Sequence, residues 1–421
     1  SSYLPLNAAF RAAASHLGAV GWLNPIWAAI SILALYAVAR RLWPDRPRMA
    51  LAAALLLASS AQFLITAMTA YAMSAHLALN LVWLWLFLRS KPLSDAGAVG
   101  VGFIASGLHQ VIFHPIFVAP FILELLIARA WRRAAVFIAA YAAIGLFWIA
   151  YWGLLYRWMG IPPSQAEAVG GAWFVSRVLA LLSVDLSSAY QMAQSLARFV
   201  TWQNLLIAPL LVLALKPAFK AGGTMRALAI GIILTVVAML VLVPSQTHGW
   251  GYRYLHGLIG SACLLAVFAW ARLVEPLDAR GRARAEAAFA AACLASLVVV
   301  FPVRAIQAYS FSHPFAVADA DIRASKADVV LVDNWTALFD AGHFVRNDPF
   351  LRDGPKVMLL GAFREQGLTR LCGKYSVRVF DANDPAAKGI FTSILPDPTR
   401  ARNASQRQLA EQAAAKSDAA G

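Results

Sequence analysis

The chain has 421 residues, of which 60% are hydrophobic and 14% are charged, and its mean hydropathy is +0.63. A soluble domain carries about a quarter of charged residues, so this composition excludes an ordinary soluble protein. The formal net charge of +15 does not indicate a nucleic-acid partner, because the basic residues stand in short clusters between long apolar runs, as in membrane-protein loops.

Apolar runs long enough to cross about 30 Å of hydrocarbon recur along most of the chain. Inside lipid such runs form helices, because their backbone groups have no water to bond. We therefore predict a mainly α fold, a polytopic transmembrane bundle of about ten helices. The predicted spans are 24–43, 49–67, 71–89, 96–113, 114–130, 134–156, 197–215, 226–243, 254–272 and 286–303.

The charges between these spans predict an orientation. Lysine and arginine clusters occupy alternate loops, and the positive-inside rule places such loops in the cytoplasm. Residues 1–23, 157–196, 244–253 and 304–421 are then expected on the opposite side. The basic clusters lie near residues 40–48, 89–91, 129–133, 216–226 and 272–284.

The external loop 157–196 contains an apolar stretch with one arginine, residues 172–182 (AWFVSRVLALL). Two interpretations are open: an interfacial helix on the membrane surface, or a helix packed over the mouth of the bundle. Asp185 follows this stretch and is a weak candidate for a catalytic base. The same residue is also suited to cap the next helix.

From about residue 310 the composition becomes that of a soluble domain. Three short β-like runs are separated by stretches long enough for helices, which is the pattern of βαβ units and a small parallel sheet. We therefore divide the chain into a bundle over 1–309, an extracytoplasmic α/β domain over 310–396 and a polar tail over 397–421, helical or disordered. The β-like runs are residues 327–332, 356–360 and 376–380.

Polar residues near the predicted outer ends of three helices are the candidate binding site. Ionisable residues are costly inside a bilayer, so their positions indicate function. We predict that the three groups converge on one outward-facing cavity. The candidates are His76 in the third span, His109, Gln110 and His114 in the GLHQVIFHP turn, and Tyr252, Arg253 and His256 in the HGWGYRYLHG segment.

Arg253 is the strongest of these candidates, because a guanidinium at the membrane edge suits a bidentate grip on a lipid phosphate. Structural alternatives remain open: a snorkelling anchor for Arg253, an aromatic belt around it, and a simple helical hairpin for the histidine turn. The spacing of His109 and His114 is not that of a helical metal-ligand pair, so no metal or other cofactor is predicted. Glu124 is expected to pair with Arg129.

Several segments in order resemble the membrane glycosyltransferases of the C-type fold, the group that includes the protein O-mannosyltransferases and the lipid A aminoarabinose transferase. The resemblance covers roughly residues 3–272 and is one of layout with weak motifs. Two departures stand out. In the third span, where relatives often have an Arg or Asp near the outer end, this chain has TAYAMSAHL. In the histidine turn it has Gln110 where relatives commonly have a lysine. The segments are YLPL, a helix ending in ARRLWP, GLHQVIFHPIFVAPF and GYRYLHGLIGSACLLA.

The resemblance implies an enzyme that transfers a sugar from a polyprenyl-phosphate lipid to an acceptor on the external face of the bacterial inner membrane, with the C-terminal domain in the periplasm. It also implies a catalytic acid in the first external loop. That loop lies upstream of Ser1, so we expect the natural N-terminus to extend further. Two other functions stay open: a transporter or flippase of a lipid-linked or small polar substrate, and a non-catalytic membrane subunit.

Overall fold

Helices make up most of the computed structural model, and the chain divides into two compact units, Ser1–Ala305 and Ile306–Gly421. The predicted stretch 172–182 and the candidate Asp185 lie outside the described residues, as does almost all of the predicted tail. The structure describes residues 3–160, 186–243, 246, 249–333, 341–348, 351–352, 354–363, 365–390 and 408.

Most of the described helices of the first unit are joined by short connections. A 3-10 turn, Arg253–Leu258, leads directly into helix α12, and a π-helical turn, Ser296–Val300, joins helices α13 and α14. In chain order the helices are α1 (Leu6–His16), α2 (Leu23–Leu42), α3 (Pro47–Ala58), α4 (Ala61–Ala67), α5 (Met73–Phe87), α6 (Pro92–Ser106), α7 (Phe113–Ile127), α8 (Trp131–Trp158), α9 (Leu186–Trp202), α10 (Ile207–Ala221), α11 (Gly223–Leu242), α12 (Ile259–Val274), α13 (Ala279–Ala295) and α14 (Phe301–Arg323).

Several of the described helices suit a membrane by length and composition. Five pass alone, and two bent pairs, α3 with α4 and α9 with α10, raise the number to seven if each pair is one span. Helices α5 and α7 are apolar but shorter. The predicted fold class, mainly α with many apolar helices and a small C-terminal sheet, is confirmed. The five are Val20–Leu42, Trp131–Trp158, Gly223–Leu242, Arg253–Val274 and Ala279–Arg323.

Two predicted spans, 49–67 and 197–215, are wrong as straight helices. Helices α3 and α4 meet at 62°, and α9 and α10 meet at 112°. At the first break the Ser60 hydroxyl accepts a hydrogen bond from the Phe63 backbone N–H at 3.2 Å. At the second, the Asn204 side-chain oxygen accepts one from the Leu206 backbone N–H at 2.8 Å. Ser60 therefore caps α4, and the Asn204 side chain closes a turn just before α10, so each apolar run is interrupted.

Helix α12 lies at the centre of the bundle and packs against α3, α10 and α11. Small residues on α12, Gly260 to Ala262, are fully or almost fully buried. A Cβ on Gly260 would come within 2.7 Å of Leu81 Cδ2. Close approach of helices at small residues is the usual packing of apolar bundles, and it brings the start of α12 against α5.

An ion pair joins the end of α7 to the start of α11. The Arg226 guanidinium bonds both oxygens of Glu124, with Nε–Oε1 at 2.5 Å and the second bond at 2.8 Å. The predicted pairing of Glu124 with Arg129 is therefore wrong. Arg226 lies in the first turn of helix α11, which packs along α7, so the pair joins two neighbouring helices.

The second unit contains the predicted parallel sheet, with strand order β2-β1-β3. Strand β1 (Val329–Val332) lies between β2 (Lys356–Leu359) and β3 (Val377–Phe380), and all four of its residues are buried. Val330 and Val332 pack with the end of α14, while Val329 and Leu331 pack with helix α15 (Glu365–Cys372). The described part of the β1–β2 connection contains only a 3-10 turn.

Candidate functional site

A narrow cavity lies where the start of α5, the α6–α7 turn, α7, α11 and the 3-10 turn before α12 meet. Its volume of about 30 Å³ leaves room for one or two water molecules. The lining residues are Met73, His76, Asn80, His109, Phe113, Ile116, Thr235, Arg253, Tyr254, Gly257 and Leu258.

Three of the predicted site residues, His76, His109 and Arg253, line this one cavity although they come from three separate parts of the chain. Four others, Gln110, His114, Tyr252 and His256, do not line it. The α6–α7 turn carries His109, and the 3-10 turn before α12 carries Arg253, to the start of α5, where His76 lies.

Arg253 enters the cavity from the start of the 3-10 turn. Its Nη2 donates a hydrogen bond to the Tyr254 hydroxyl at 2.9 Å, and the guanidinium lies 4.9 Å from the centre of the Tyr254 ring. Its Nε is buried without a hydrogen-bond partner. Within the described part of the chain no carboxylate pairs with this cation. A buried guanidinium donor without an acceptor is a place for an incoming anion.

His76 lies deeper and is 7% exposed. Both of its ring nitrogens are buried without hydrogen-bond partners. Its ring meets Phe113 edge to face at 6.0 Å, and His109 lines the same cavity. An imidazole always offers at least one donor, so His76 has hydrogen-bonding capacity that the described residues leave unused.

His109 and Arg253 line the same cavity. The Tyr3 ring stacks on the imidazole at 4.1 Å, and Phe113 lies 6.0 Å from it. The His109 backbone carbonyl accepts a hydrogen bond from the Leu4 N–H at 2.8 Å. The segment before α1 therefore fixes the turn that carries this imidazole.

His114 belongs to a buried hydrogen-bonded chain instead of the cavity wall. Its Nδ1 lies 2.7 Å from Asn80 Oδ1, and its Nε2 lies 2.8 Å from the Tyr141 hydroxyl. The Asn80 amide donates to the Gly257 carbonyl at 2.9 Å. Because both ring nitrogens are occupied, His114 supports Asn80, which does line the cavity.

The remaining candidates are placed differently. Tyr252 and His256 are fully buried, and the Tyr252 hydroxyl and both His256 ring nitrogens have no hydrogen-bond partner. Gln110 is half-buried in the turn between α6 and α7. Asp185 lies outside the described residues.

Sequence reasoning missed Asn80, Phe113, Thr235 and Tyr254 as cavity residues. Asn80 had a signal, since it is a lone amide in an otherwise apolar stretch. Phe113 and Tyr254 stack on each other at 5.8 Å with nearly parallel rings, a pairing between distant segments that the sequence does not reveal.

The cavity therefore combines one cation, unused imidazole nitrogens and an aromatic wall. The chemistry of these groups suits an anionic head group, and a cavity of about 30 Å³ has to widen to admit one. None of the lining residues is acidic, and the described residues contain no cluster of three metal-binding side chains.

The fold and cavity define a mainly helical protein with several membrane-compatible helices and a basic, aromatic pocket. No family model matches the sequence, and no curated protein matches it. Among solved structures, apo ArnT from Cupriavidus metallidurans is similar, with 14% identity, a TM-score of 0.48, and coverage of 85% of this chain and 75% of that chain. Likeness at this level assigns neither family nor function to the chain.

Proposed function

We propose that the chain is a membrane glycosyltransferase that takes a sugar from a polyprenyl-phosphate donor. The observation that supports this most is Arg253, whose Nε is buried at the cavity without a partner. A guanidinium with free donors binds a phosphate through paired charge-assisted hydrogen bonds. The apolar helices around the cavity suit the polyprenyl chain of the same molecule.

In this proposal Arg253 holds the donor phosphate and stabilises the charge that develops on it as the bond to the anomeric carbon breaks. His76 and His109 supply further donors to the phosphate or sugar. A nucleophilic atom of the acceptor forms the new bond, and a carboxylate takes its proton. No residue that lines the cavity is acidic, so we assign this carboxylate to none of the described residues.

The proposed setting follows the loop charges. The cavity faces the external side of a bacterial inner membrane, the basic clusters face the cytoplasm, and the domain over 310–396 lies in the periplasm. The donor enters from the outer leaflet, because its phosphate is then level with Arg253. This arrangement leaves the bilayer and the lipid donor as the partners of the bundle, with no role for nucleic acid.

Binding of polyprenyl phosphate to the purified full chain in lipid nanodiscs tests the proposal. Arg253→Ala is expected to weaken binding by about 10- to 100-fold, since charged hydrogen bonds contribute about 1.5–3 kcal/mol each. Arg157→Ala is the matched control, because Arg157 is an exposed arginine on the same predicted side of the membrane. Equal binding by Arg253→Ala and the unchanged chain would overturn the assignment.

A second measurement separates a transferase from a transporter or a non-catalytic subunit. A transferase releases sugar-free polyprenyl phosphate from its donor, whereas a transporter moves the donor intact. The full-length protein in lipid vesicles is incubated with a radiolabelled polyprenyl-phosphate sugar and cell extract, and we expect free polyprenyl phosphate as a product. Donor recovered unchanged on the other face of the vesicles would favour transport.

A further inference from the structure

Gln62 lies at the start of α4, is 0% exposed and contacts the segment that carries Arg253. Its Nε2 donates a hydrogen bond to the Tyr252 carbonyl at 2.9 Å, and its Oε1 accepts one from the Tyr252 N–H at 3.3 Å. The side-chain amide thus pairs with both polar groups of one backbone residue, as a neighbouring strand would. The residue next in sequence is Arg253.

Gln203, at the break between α9 and α10, holds the Gln62 amide in this orientation. Its Nε2 donates to Gln62 Oε1 at 2.8 Å, and its own Oε1 accepts from the Ser60 hydroxyl at 2.7 Å. All three side chains are almost completely buried. Because Gln62 Oε1 receives a donor from Gln203, its nitrogen is left to face the Tyr252 carbonyl.

Gln246 holds the same segment from the other side. Its Nε2 donates to the Gly251 carbonyl, and its Oε1 accepts from the Arg253 N–H at 2.7 Å. Gly251 has φ +64°, and a Cβ at this position would overlap the Gln62 side chain. The backbone of 251–253 is therefore fitted closely between two amides, in a conformation that glycine adopts without strain.

We propose that Gln62, oriented by Gln203, is a positioning residue that sets Arg253 for the donor phosphate; this inference rests on the proposed function. The Tyr252 carbonyl makes one 3-10 bond, from the Leu255 N–H at 3.2 Å. The Tyr252 N–H, the Gly251 carbonyl and the Arg253 N–H are bonded by the amides instead, so the amides help to set where the 3-10 turn starts. A buried backbone N–H or carbonyl that loses its partner shifts to find another. A shift of about 1 Å at a positioning group is enough to impair binding of the reacting group.

The experiment compares two buried amides at the two helix breaks, with polyprenyl phosphate in nanodiscs as the probe. Gln62→Leu removes the bonds to Tyr252 and is expected to weaken binding by about tenfold. Asn204→Leu is the matched control: Asn204 is 1% exposed and donates to the Ser59 hydroxyl at 2.7 Å, but none of its bonds reaches the 251–253 segment. The affinity of Asn204→Leu for polyprenyl phosphate is expected to stay within about twofold of that of the unchanged chain.

A second pair of variants serves if Gln62→Leu does not fold. Gly251→Ala pushes against the Gln62 amide, whereas Gly18→Ala introduces the same Cβ at a similar φ of +65° with nothing within 4 Å. Only Gly251→Ala is expected to weaken binding. This comparison separates displacement of the 251–253 segment from the strain that any side chain meets at a positive φ.

A double variant distinguishes positioning from a general packing effect. If Gln62 acts through Arg253, Gln62→Leu combined with Arg253→Ala binds no more weakly than Arg253→Ala alone, because coupled residues are not additive. Additive losses would overturn the positioning role. So would unchanged binding by Gln62→Leu together with a loss by Arg253→Ala. Absence of binding by the unchanged chain would instead overturn the proposed function, and the positioning role with it.

Discussion

Asn80 Oδ1 lies 2.7 Å from His114 Nδ1, and this contact fixes the hydrogen atoms of a buried network. The Asn80 nitrogen donates to the Gly257 carbonyl at 2.9 Å, so its oxygen must accept from His114. His114 therefore carries its proton on Nδ1, and Nε2 accepts from the Tyr141 hydroxyl at 2.8 Å. The network links α5, α7 and α8 to the wall of the cavity.

Glycines in α6 allow a paired test of this network. A Cβ on Gly102 would overlap the Tyr141 hydroxyl and lie 3.2 Å from His114 Nε2, whereas a Cβ on Gly100 would meet nothing within 4 Å. We expect Gly102→Ala to destabilise the bundle by about 1–3 kcal/mol, because it separates a buried donor from its acceptor. Denaturant unfolding in detergent measures the difference.

The matched control, Gly100→Ala, should be neutral or stabilise helix α6 by up to about 1 kcal/mol. Equal effects of the two substitutions would show that the Tyr141–His114 contact does not stabilise the bundle. Since Gly100 and Gly102 lie in the same helix, the comparison cancels the general effect of adding a side chain to α6.

Arg133 at the opposite end of the bundle offers a test of bidentate geometry. Its guanidinium bonds both oxygens of Asp95, at 2.9 and 2.8 Å, and lies 4.3 Å from the centre of the Phe87 ring. Arg133→Lys should cost about 1–3 kcal/mol, because an ammonium cannot make both bonds and stack on the ring. Thermal unfolding of the solubilised protein measures this change.

Arg48→Lys is the control for Arg133→Lys. Arg48 contacts Glu286 through one bond at 2.9 Å, and its side chain is 86% exposed. Exposed ion pairs of this kind contribute about 0–1 kcal/mol, so the control should leave the unfolding midpoint almost unchanged. A loss for Arg48→Lys as large as for Arg133→Lys would contradict the role assigned to bidentate geometry.

The carboxylate of Asp328 should make the stability of the second unit sensitive to acid. Asp328 Oδ2 accepts hydrogen bonds from the Ser376 backbone N–H and hydroxyl, both at 2.9 Å. These bonds, with the nearby Lys356, hold the pKa of Asp328 below its usual range. Because the folded-state pKa is the lower one, the bonds stabilise the sheet above a pH of about 4 and are lost as the pH falls through the lowered value.

We therefore expect Asp328→Asn to reduce the protection of β1 and β3 amides from hydrogen exchange at neutral pH. The loss of this protection below about pH 5 should be less steep in Asp328→Asn than in the unchanged chain. Ser376→Ala should act in the same direction. Asp45→Asn, at an exposed acid in the first unit, is the control. A steep acid dependence that persists in Asp328→Asn would assign the effect to another group.

Most of the helical fold could be predicted from the sequence because the requirement for long apolar runs is simple. Spans such as 24–43 and 134–156 are mostly apolar and correspond to α2 and α8. The breaks near Ser60 and Asn204 were missed because a hydropathy average over a whole run hides one or two polar residues. Ser60 acts by capping a helix and Asn204 by closing a turn, and both effects depend on local geometry rather than on composition.

The candidate site was predictable only in part. Polar residues at helix ends pointed to His76, His109 and Arg253, which the structure brings to one cavity. The amide of Gln62 gave no such signal, since its partner Tyr252 lies 190 residues away in the chain. The ligand of this cavity stays a prediction, because the sequence and the packing determine donors but not the molecule that accepts from them.

The strand order of the small sheet has a consequence for synthesis of the protein. Strand β1 is made first, yet it occupies the middle, and its partner Val377 follows Val329 at a distance of 48 residues (377 minus 329). The ribosome delivers the central strand before either neighbour exists, and pairing of such distant segments is slow. One edge of the apolar β1 can pair once residues 356–359 emerge, but its other edge stays unpaired until residues 377–380 follow, an interval in which nascent chains are exposed to aggregation.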